Sequence, residues 1–200
     1  MSMLEGCPFC LTDPSKSDIP ERTVLETENF RVFPTLGQIV EGYLLVAPKE
    51  HYASVGALPD EMYGELEEVK DRIDLRIRRE YCPPIWIEHG GLGQTVFHAH
   101  LHAVPFPPER DIYERYSKDF PEAMRIHGFR DLKRVWNERG HYLFYEINGF
   151  QFAFVTKIVP MYARLVIADE LGVPERGNWR TMDRELDERM IAETVRKLRR

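Results

Sequence analysis

The chain has 200 residues, 43% hydrophobic and 30% charged, with a formal net charge of −6; that length buries a core without staples, and that balance excludes a disordered or fibrous chain. No stretch approaches the ~18 apolar residues of a spanning helix and no signal-like segment is seen, so neither a membrane nor secretion is expected and the location is read as cytoplasmic. Residues 1–100 carry nine Lys and Arg against 17 Asp and Glu, which makes that half a poor surface for nucleic acid.

Cys7-Pro8-Phe9-Cys10 comes first, ahead of a polar stretch from Thr12 to Pro20, and reads as a knuckle in a loop. With Cys82 as the third and last cysteine, a secreted disulfide framework is not indicated. The pair alone is half a metal site, and a redox pair or two structural thiols remain alternatives. Strands are expected over Asn29–Phe33 and Tyr43–Ala47. Met62, Leu66, Val69, Ile73 and Ile77 then recur every three or four residues, which predicts a long amphipathic helix from Pro59 to about Tyr81, closed by Cys82-Pro83-Pro84. An apolar strand (Ile85, Trp86, Ile87) and a glycine-rich loop (Gly90, Gly91, Gly93) lead into Phe97-His98-Ala99-His100-Leu101-His102-Ala103-Val104-Pro105.

Beyond Phe106-Pro107-Pro108 a charged, partly helical stretch precedes two strands, His141–Ile147 and Phe150–Lys157. They are joined by Asn148-Gly149, a strong hairpin signal. Helices are expected over Pro160–Leu171, stopped by Gly172, and Thr181–Lys197, with Thr181 as N-cap. The order predicts an α+β fold with a mostly antiparallel sheet.

In an extended chain His98, His100 and His102 share one face and Ala99, Leu101 and Ala103 the other. Three histidines at alternate positions point to chemistry. Three side chains of one straight strand run parallel and do not converge on one tetrahedral ion, so they are expected to have different tasks.

The run His-Ala-His-Leu-His-Ala-Val resembles the signature of the histidine triad (HIT) superfamily, in which apolar residues separate the three histidines. Gly93-Gln94-Thr95-Val96-Phe97 resembles that family's phosphate-contacting segment, and Glu41 to His51 (E-G-Y-L-L-V-A-P-K-E-H) its second conserved segment. The resemblance spans about residues 5–105 and implies a HIT-like antiparallel sheet with a long helix, a nucleotide substrate, and nucleotidyl hydrolysis or transfer through a nucleotidyl-histidine intermediate. It implies His100 as nucleophile, with His102 and Gln94 completing the catalytic set and Thr95, Gly93 and Thr35 contacting substrate. A neutral imidazole is a competent nucleophile near pH 7, and a covalent intermediate divides one difficult displacement into two. The family commonly has histidine where this chain has Tyr43, and Asn or Asp near the position of Thr35.

Many HIT proteins pair an N-terminal C-x-x-C with two histidines. By that resemblance Cys7, Cys10, His51 and His98 are expected to hold one structural Zn2+. The resemblance also implies a possible homodimer built by edge-to-edge sheet pairing. A HIT domain over residues 1–106 and a C-terminal α+β extension over 107–200, packing on it, are expected. Val159–Arg164, Asp169–Pro174 and Asn178-Trp179-Arg180 weakly resemble the extension of the long, splicing-associated HIT proteins. Trp136 and Trp179 are read as packing anchors. The alternative function is a nucleotide- or RNA-binding adaptor that keeps the fold and zinc.

Overall fold

The computed structural model describes residues 6–10, 17–91, 93–120, 122–155 and 159–199. In chain order the elements are α1 (Ile19–Arg22), β1 (Leu25–Glu26), β2 (Phe30–Pro34), β3 (Leu44–Pro48), α2 (Met62–Glu80), β4 (Pro84–Gly90) and β5 (Leu101–Pro105). They continue with α3 (Tyr113–Asp119), β6 (Ala123–Ile126), α4 (Phe129–Arg139), β7 (Tyr142–Ile147), β8 (Phe150–Phe154), α5 (Tyr162–Glu170) and α6 (Arg184–Leu198). The strands form one eight-stranded sheet in the order β1-β2-β3-β5-β4-β7-β8-β6, every pair antiparallel. The fold is α+β, as expected.

Period-2 alternation sorts the sheet into two apolar faces. Leu44, Val46, Leu101, Ala103 and Trp86 pack with Leu66, Val69, Ile73 and Ile77 of α2. Leu45, Ala47, Ile85, Ile87, Val104 and Tyr145 form the opposite face with Ala163, Val166 and Ile167 of α5. Each face removes enough apolar surface from water to hold its covering helices. His102 lies on the α5 side of β5, between Leu101 and Ala103, which face α2.

The boundary expected near residue 106 falls between β5 and α3, and the sheet runs across it. β4 pairs with β5 on one side and with β7 on the other, from Trp86↔Glu146 to Gly90↔Tyr142. The Asn148-Gly149 hairpin forms with φ of 49° and 79°, the doubly positive geometry that a two-residue turn needs and that favours Asn-Gly.

Several expectations are corrected. The histidine strand begins only at Leu101. His98 and His100 precede it in irregular backbone, held where the Ala99 N–H donates to Tyr52 O at 2.7 Å. The strand before the glycine loop is longer than expected and takes in Glu88 and His89. The N-cap of α6 is Asp183, whose carboxylate accepts from Leu186 N–H at 2.7 Å, not Thr181; the fixed carboxylate also favours the positive end of the helix dipole. The expected end of the second hairpin strand, at residues 156–157, lies outside the described residues. Among the described residues no helix is long and apolar enough to cross a membrane.

Candidate active site

The knuckle is a tight turn in which Cys10 N–H donates to Cys7 O at 3.2 Å. It brings both thiols to His51, just after β3, and His98, just before β5. Cys7 Sγ and Cys10 Sγ lie 3.5 and 3.4 Å from His98 Nδ1, and Cys10 Sγ lies 3.5 Å from His51 Nδ1. All four ligand atoms fall within 4.8 Å of one another. A tetrahedral ion with bonds of about 2.3 Å to sulfur and 2.0–2.1 Å to nitrogen has S···N edges of about 3.5 Å, so this donor set fits such an ion. His98 Nε2 lies 2.8 Å from Pro48 O, and a carbonyl only accepts. The ring proton is therefore on Nε2 and the Nδ1 lone pair faces the thiols, as a metal-ligating histidine requires. The four residues form a Cys2His2 metal-binding group.

His100 obeys the same logic with the nitrogens exchanged. Its Nδ1 is 2.6 Å from His98 O, so Nδ1 carries the proton and Nε2 holds a lone pair. The ring lines a cavity of about 350 Å³ together with His102. Their centroids are 4.7 Å apart, and His89 of β4 stands 6.2 Å from His102. Burial lowers the pKa of all three. His89 falls to about 3, through desolvation first and then the nearby charges of His100 and Arg164. His100 is lowered by desolvation, although its bond to His98 O opposes this. His102 is lowered well below the usual range by desolvation and by its neighbours His100, His89 and Arg164. All three rings are thus neutral at pH 7, the state in which an imidazole can attack phosphorus.

The cavity has an apolar wall that includes Phe9, Ile19, Phe33 and Leu45. Phe9, between the two cysteines, meets His98 and His100 edge-on at 5.6 and 5.4 Å, so the knuckle also packs against the His100 ring. The cavity therefore combines apolar side chains with neutral imidazoles, a lining typical of small-molecule sites.

Thr35 and Thr95 line the cavity with the histidines, and the Thr35 hydroxyl donates to Leu36 O at 3.1 Å. Gln94 is placed differently: its Nε2 donates to Ala53 O at 3.0 Å and its buried Oε1 has no partner among the described residues. Gly93 accepts from Met161 N–H at 3.4 Å and links the loop to the C-terminal half. Gln94 and Gly93 are not among the residues lining the cavity.

The family profile described as "HIT domain" matches residues 16–108. "Protein hit" of Bacillus subtilis is 34% identical over 109 residues, covering 52% of this chain and 74% of that protein. The chain belongs to the HIT family. An adenosine 5'-monophosphoramidase of Schizosaccharomyces pombe is 30% identical over 104 residues, covering 52% of this HIT protein and 77% of the relative. CWF19-like protein 1 of Xenopus laevis is 24% identical over 188 residues, covering 87% of this chain but 34% of its own length. The similarity to that protein thus extends into the C-terminal half, and the chain spans about a third of its length.

The HIT match leaves out both ends of the site. Cys7, Phe9 and Cys10 precede it; Arg164 and Trp179, which also line the cavity, follow it. Trp179 was expected to be a packing anchor and does pack: a Cβ on Gly37 would come within 2.3 Å of Trp179 Cβ. It is in addition part of the cavity wall. Trp136 is half-buried against the α2-side core and against Gly56 and Gly91. No pattern in the sequence gives Arg164, His89 or Tyr43 a place in this cavity, although Arg164 ends the Val159–Arg164 run and Tyr43 stands where the family commonly has histidine.

Proposed function

We propose that this HIT protein is a nucleotidyl hydrolase or transferase working through His100. In this reading His100 Nε2 attacks the α-phosphorus of a nucleotide. A P–N bond forms, the bond to the leaving group breaks, and the leaving group departs with the bonding pair. Water or another acceptor then attacks phosphorus, restoring His100. In hydrolysis the water's hydroxyl ends on phosphorus, and its proton balances the one taken by the leaving group. The observation that carries the reading is the contact between His100 Nδ1 and His98 O, which leaves the Nε2 lone pair available beside the cavity. His102, and Thr95 at the rim, stand where phosphoryl oxygens gain charge, and positioned donors there lower the barrier.

The S. pombe relative's name supports a phosphoramidate of adenosine 5'-monophosphate among the substrates, and phosphoanhydrides and phosphoesters are chemically allied. Zinc is the metal we assign to the Cys2His2 group. With four protein ligands it would have no open position, and its contribution would be to fix Cys7, Cys10, His51 and His98 in place. Gln94 acts in this reading by supporting the loop through Ala53. We place the enzyme in the cytoplasm, where scarce, unbridged cysteine is ordinary.

The test is to trap the adduct: incubation with a nucleotide panel, acid-free digestion and mass measurement should give a nucleotidyl group on the His100 peptide. His100→Asn should lose the adduct and at least about a thousandfold in turnover while keeping its fold. Unchanged turnover in His100→Asn refutes the role.

A further inference from the structure

His102 raises a question that the HIT match does not answer. It is 6% exposed, and its Nε2 is buried without a hydrogen-bond partner among the described residues. A buried polar atom left in that state is costly unless something else meets it. The ring lines the cavity beside His100, where an atom of a bound ligand would supply that partner. Whether Nε2 donates or accepts depends on where the ring's single proton sits, and that is decided at the other nitrogen.

His102 Nδ1 lies 2.7 Å from the Tyr43 hydroxyl. Tyr43 is 1% exposed, and its hydroxyl meets the His102 ring on one side and the Arg164 guanidinium, a donor only, on the other. The Tyr43 O–H proton needs an acceptor, and the imidazole nitrogen is the acceptor within reach. On the other side of Tyr43 stands a cation. The Arg164 guanidinium carbon lies over the Tyr43 ring at 5.3 Å from its centroid, with the guanidinium beside the hydroxyl. A positive charge there turns the hydroxyl oxygen toward itself and the proton away, toward His102. Arg164 is held for this by three carbonyls: its Nη2 donates to Gly37 O at 2.5 Å and Arg176 O at 3.4 Å, and its Nε to Gly177 O at 3.2 Å.

We propose that Arg164, supplied by the C-terminal half, and Tyr43 are positioning residues that fix His102 as the neutral Nε2–H tautomer, making it a hydrogen-bond donor to the phosphate or leaving group beside the His100 lone pair. The chain Arg164–Tyr43–His102 runs from α5, through the residue that precedes β3, to β5, and it gives the two histidines opposite tautomers: His100 presents a lone pair, His102 a proton. The C-terminal half is by this account part of the catalytic apparatus. The proposal rests on the hydrolase or transferase reading for its purpose, but the tautomer it specifies is a property of the resting protein.

Two-bond 1H–15N correlation spectra of the full chain labelled with 15N-histidine separate the two neutral tautomers, and they require no turnover. The expected result is Nε2–H for His102 and Nδ1–H for His100 in the wild type, with assignment by His102→Gln and His100→Asn. Tyr43→Phe should convert His102 to a mixture of tautomers. Arg164→Lys, which keeps the charge but loses the fork, should shift it part of the way. With an adenosine 5'-phosphoramidate as probe, Tyr43→Phe should lower kcat about ten- to a hundredfold with KM nearly unchanged, as loss of an oriented donor or tautomer does. An Nδ1–H pattern for His102 in the wild type overturns the proposal without any variant, as does an unaltered Nε2–H pattern in a folded Tyr43→Phe. Absence of turnover with the expected tautomers would instead count against the enzyme reading alone.

Discussion

Glu88 and His89 sit back to back on β4 and show how one register decides two environments. His89 faces the cavity histidines, whereas Glu88 points into the α2 side, fully buried. Its Oε1 accepts from Val55 N–H and its Oε2 from the Tyr142 hydroxyl, both at 2.6 Å, and the Tyr142 oxygen in turn accepts from Gly56 N–H at 2.8 Å. Those donors favour the carboxylate, but burial outweighs them and raises the Glu88 pKa to about 7. Because the folded carboxyl releases its proton later than the unfolded one, near 4.5, the contribution of Glu88 to stability is full below about pH 4.5 and falls as pH rises to about 7. The buried histidines act in the opposite direction, since their lowered pKa values cost stability as pH falls through about 6.5, so the Glu88 contribution is read against a variant that keeps them. In urea unfolding the wild type should lose up to about 3 kcal/mol relative to Glu88→Gln between pH 5 and pH 8, the glutamine carbonyl still accepting from Val55 and its amide donating to Tyr142. A difference between the two proteins that is the same at pH 8 as at pH 5 would rule this out.

At the scale of elements, the metal group ties the 7–10 turn, which belongs to no strand, to the end of the β3–β5 ladder, where β3 exits at His51 and the chain approaches β5 at His98. The clip holds the same backbone that serves the chemistry, since His98 offers Nδ1 to the thiols and its carbonyl to His100. Protein purified without chelator should contain one zinc per chain. Cys7→Ser should lose it and also lower activity, because the His98 carbonyl is then free to move. Elemental analysis decides the first point, and stoichiometric zinc in Cys7→Ser would contradict this ligand set. The C-terminal half supplies a second clip. Asp187 of α6 accepts from Gly37 and Gln38 N–H at 2.8 and 2.7 Å, and the Thr194 hydroxyl accepts from Gly42 N–H at 2.8 Å. The loop from Thr35 to Gly42, which forms one wall of the cavity, is thereby shaped by a helix about 150 residues away in sequence.

For the whole molecule, the consequence of β7 pairing with β4 is that an edge of the HIT sheet is already filled by the same chain. The remaining edges are β1, of two residues, and β6, of four, with exposed Arg125 on it; short, charged edges resist pairing with a second copy. A homodimer formed by edge-to-edge pairing through β4 would have to displace β7. Light scattering should accordingly give a monomer near 23.5 kDa at micromolar concentration. A stable dimer that persists on dilution would show that another surface is used. The sequence by itself marked the histidine triad and the cysteine pair, because alternate histidines, a two-residue cysteine spacing and the Gly-Gln-Thr segment are local patterns; His51 and His98 as partners of the cysteines came from the family resemblance, and the four do gather as one group. The sequence also determined α2 and the Asn-Gly hairpin, where one periodicity or one turn geometry dominates. Local pattern misread the strand at His98 and His100, where the contacts to Tyr52, Pro48 and the thiols outweigh alternation. Only the tertiary structure decided that Arg164 stands behind Tyr43, that Trp179 walls the cavity and that β7 seals β4. Those contacts join residues roughly 50 to 140 positions apart, and no periodicity within either segment encodes which distant segment it meets.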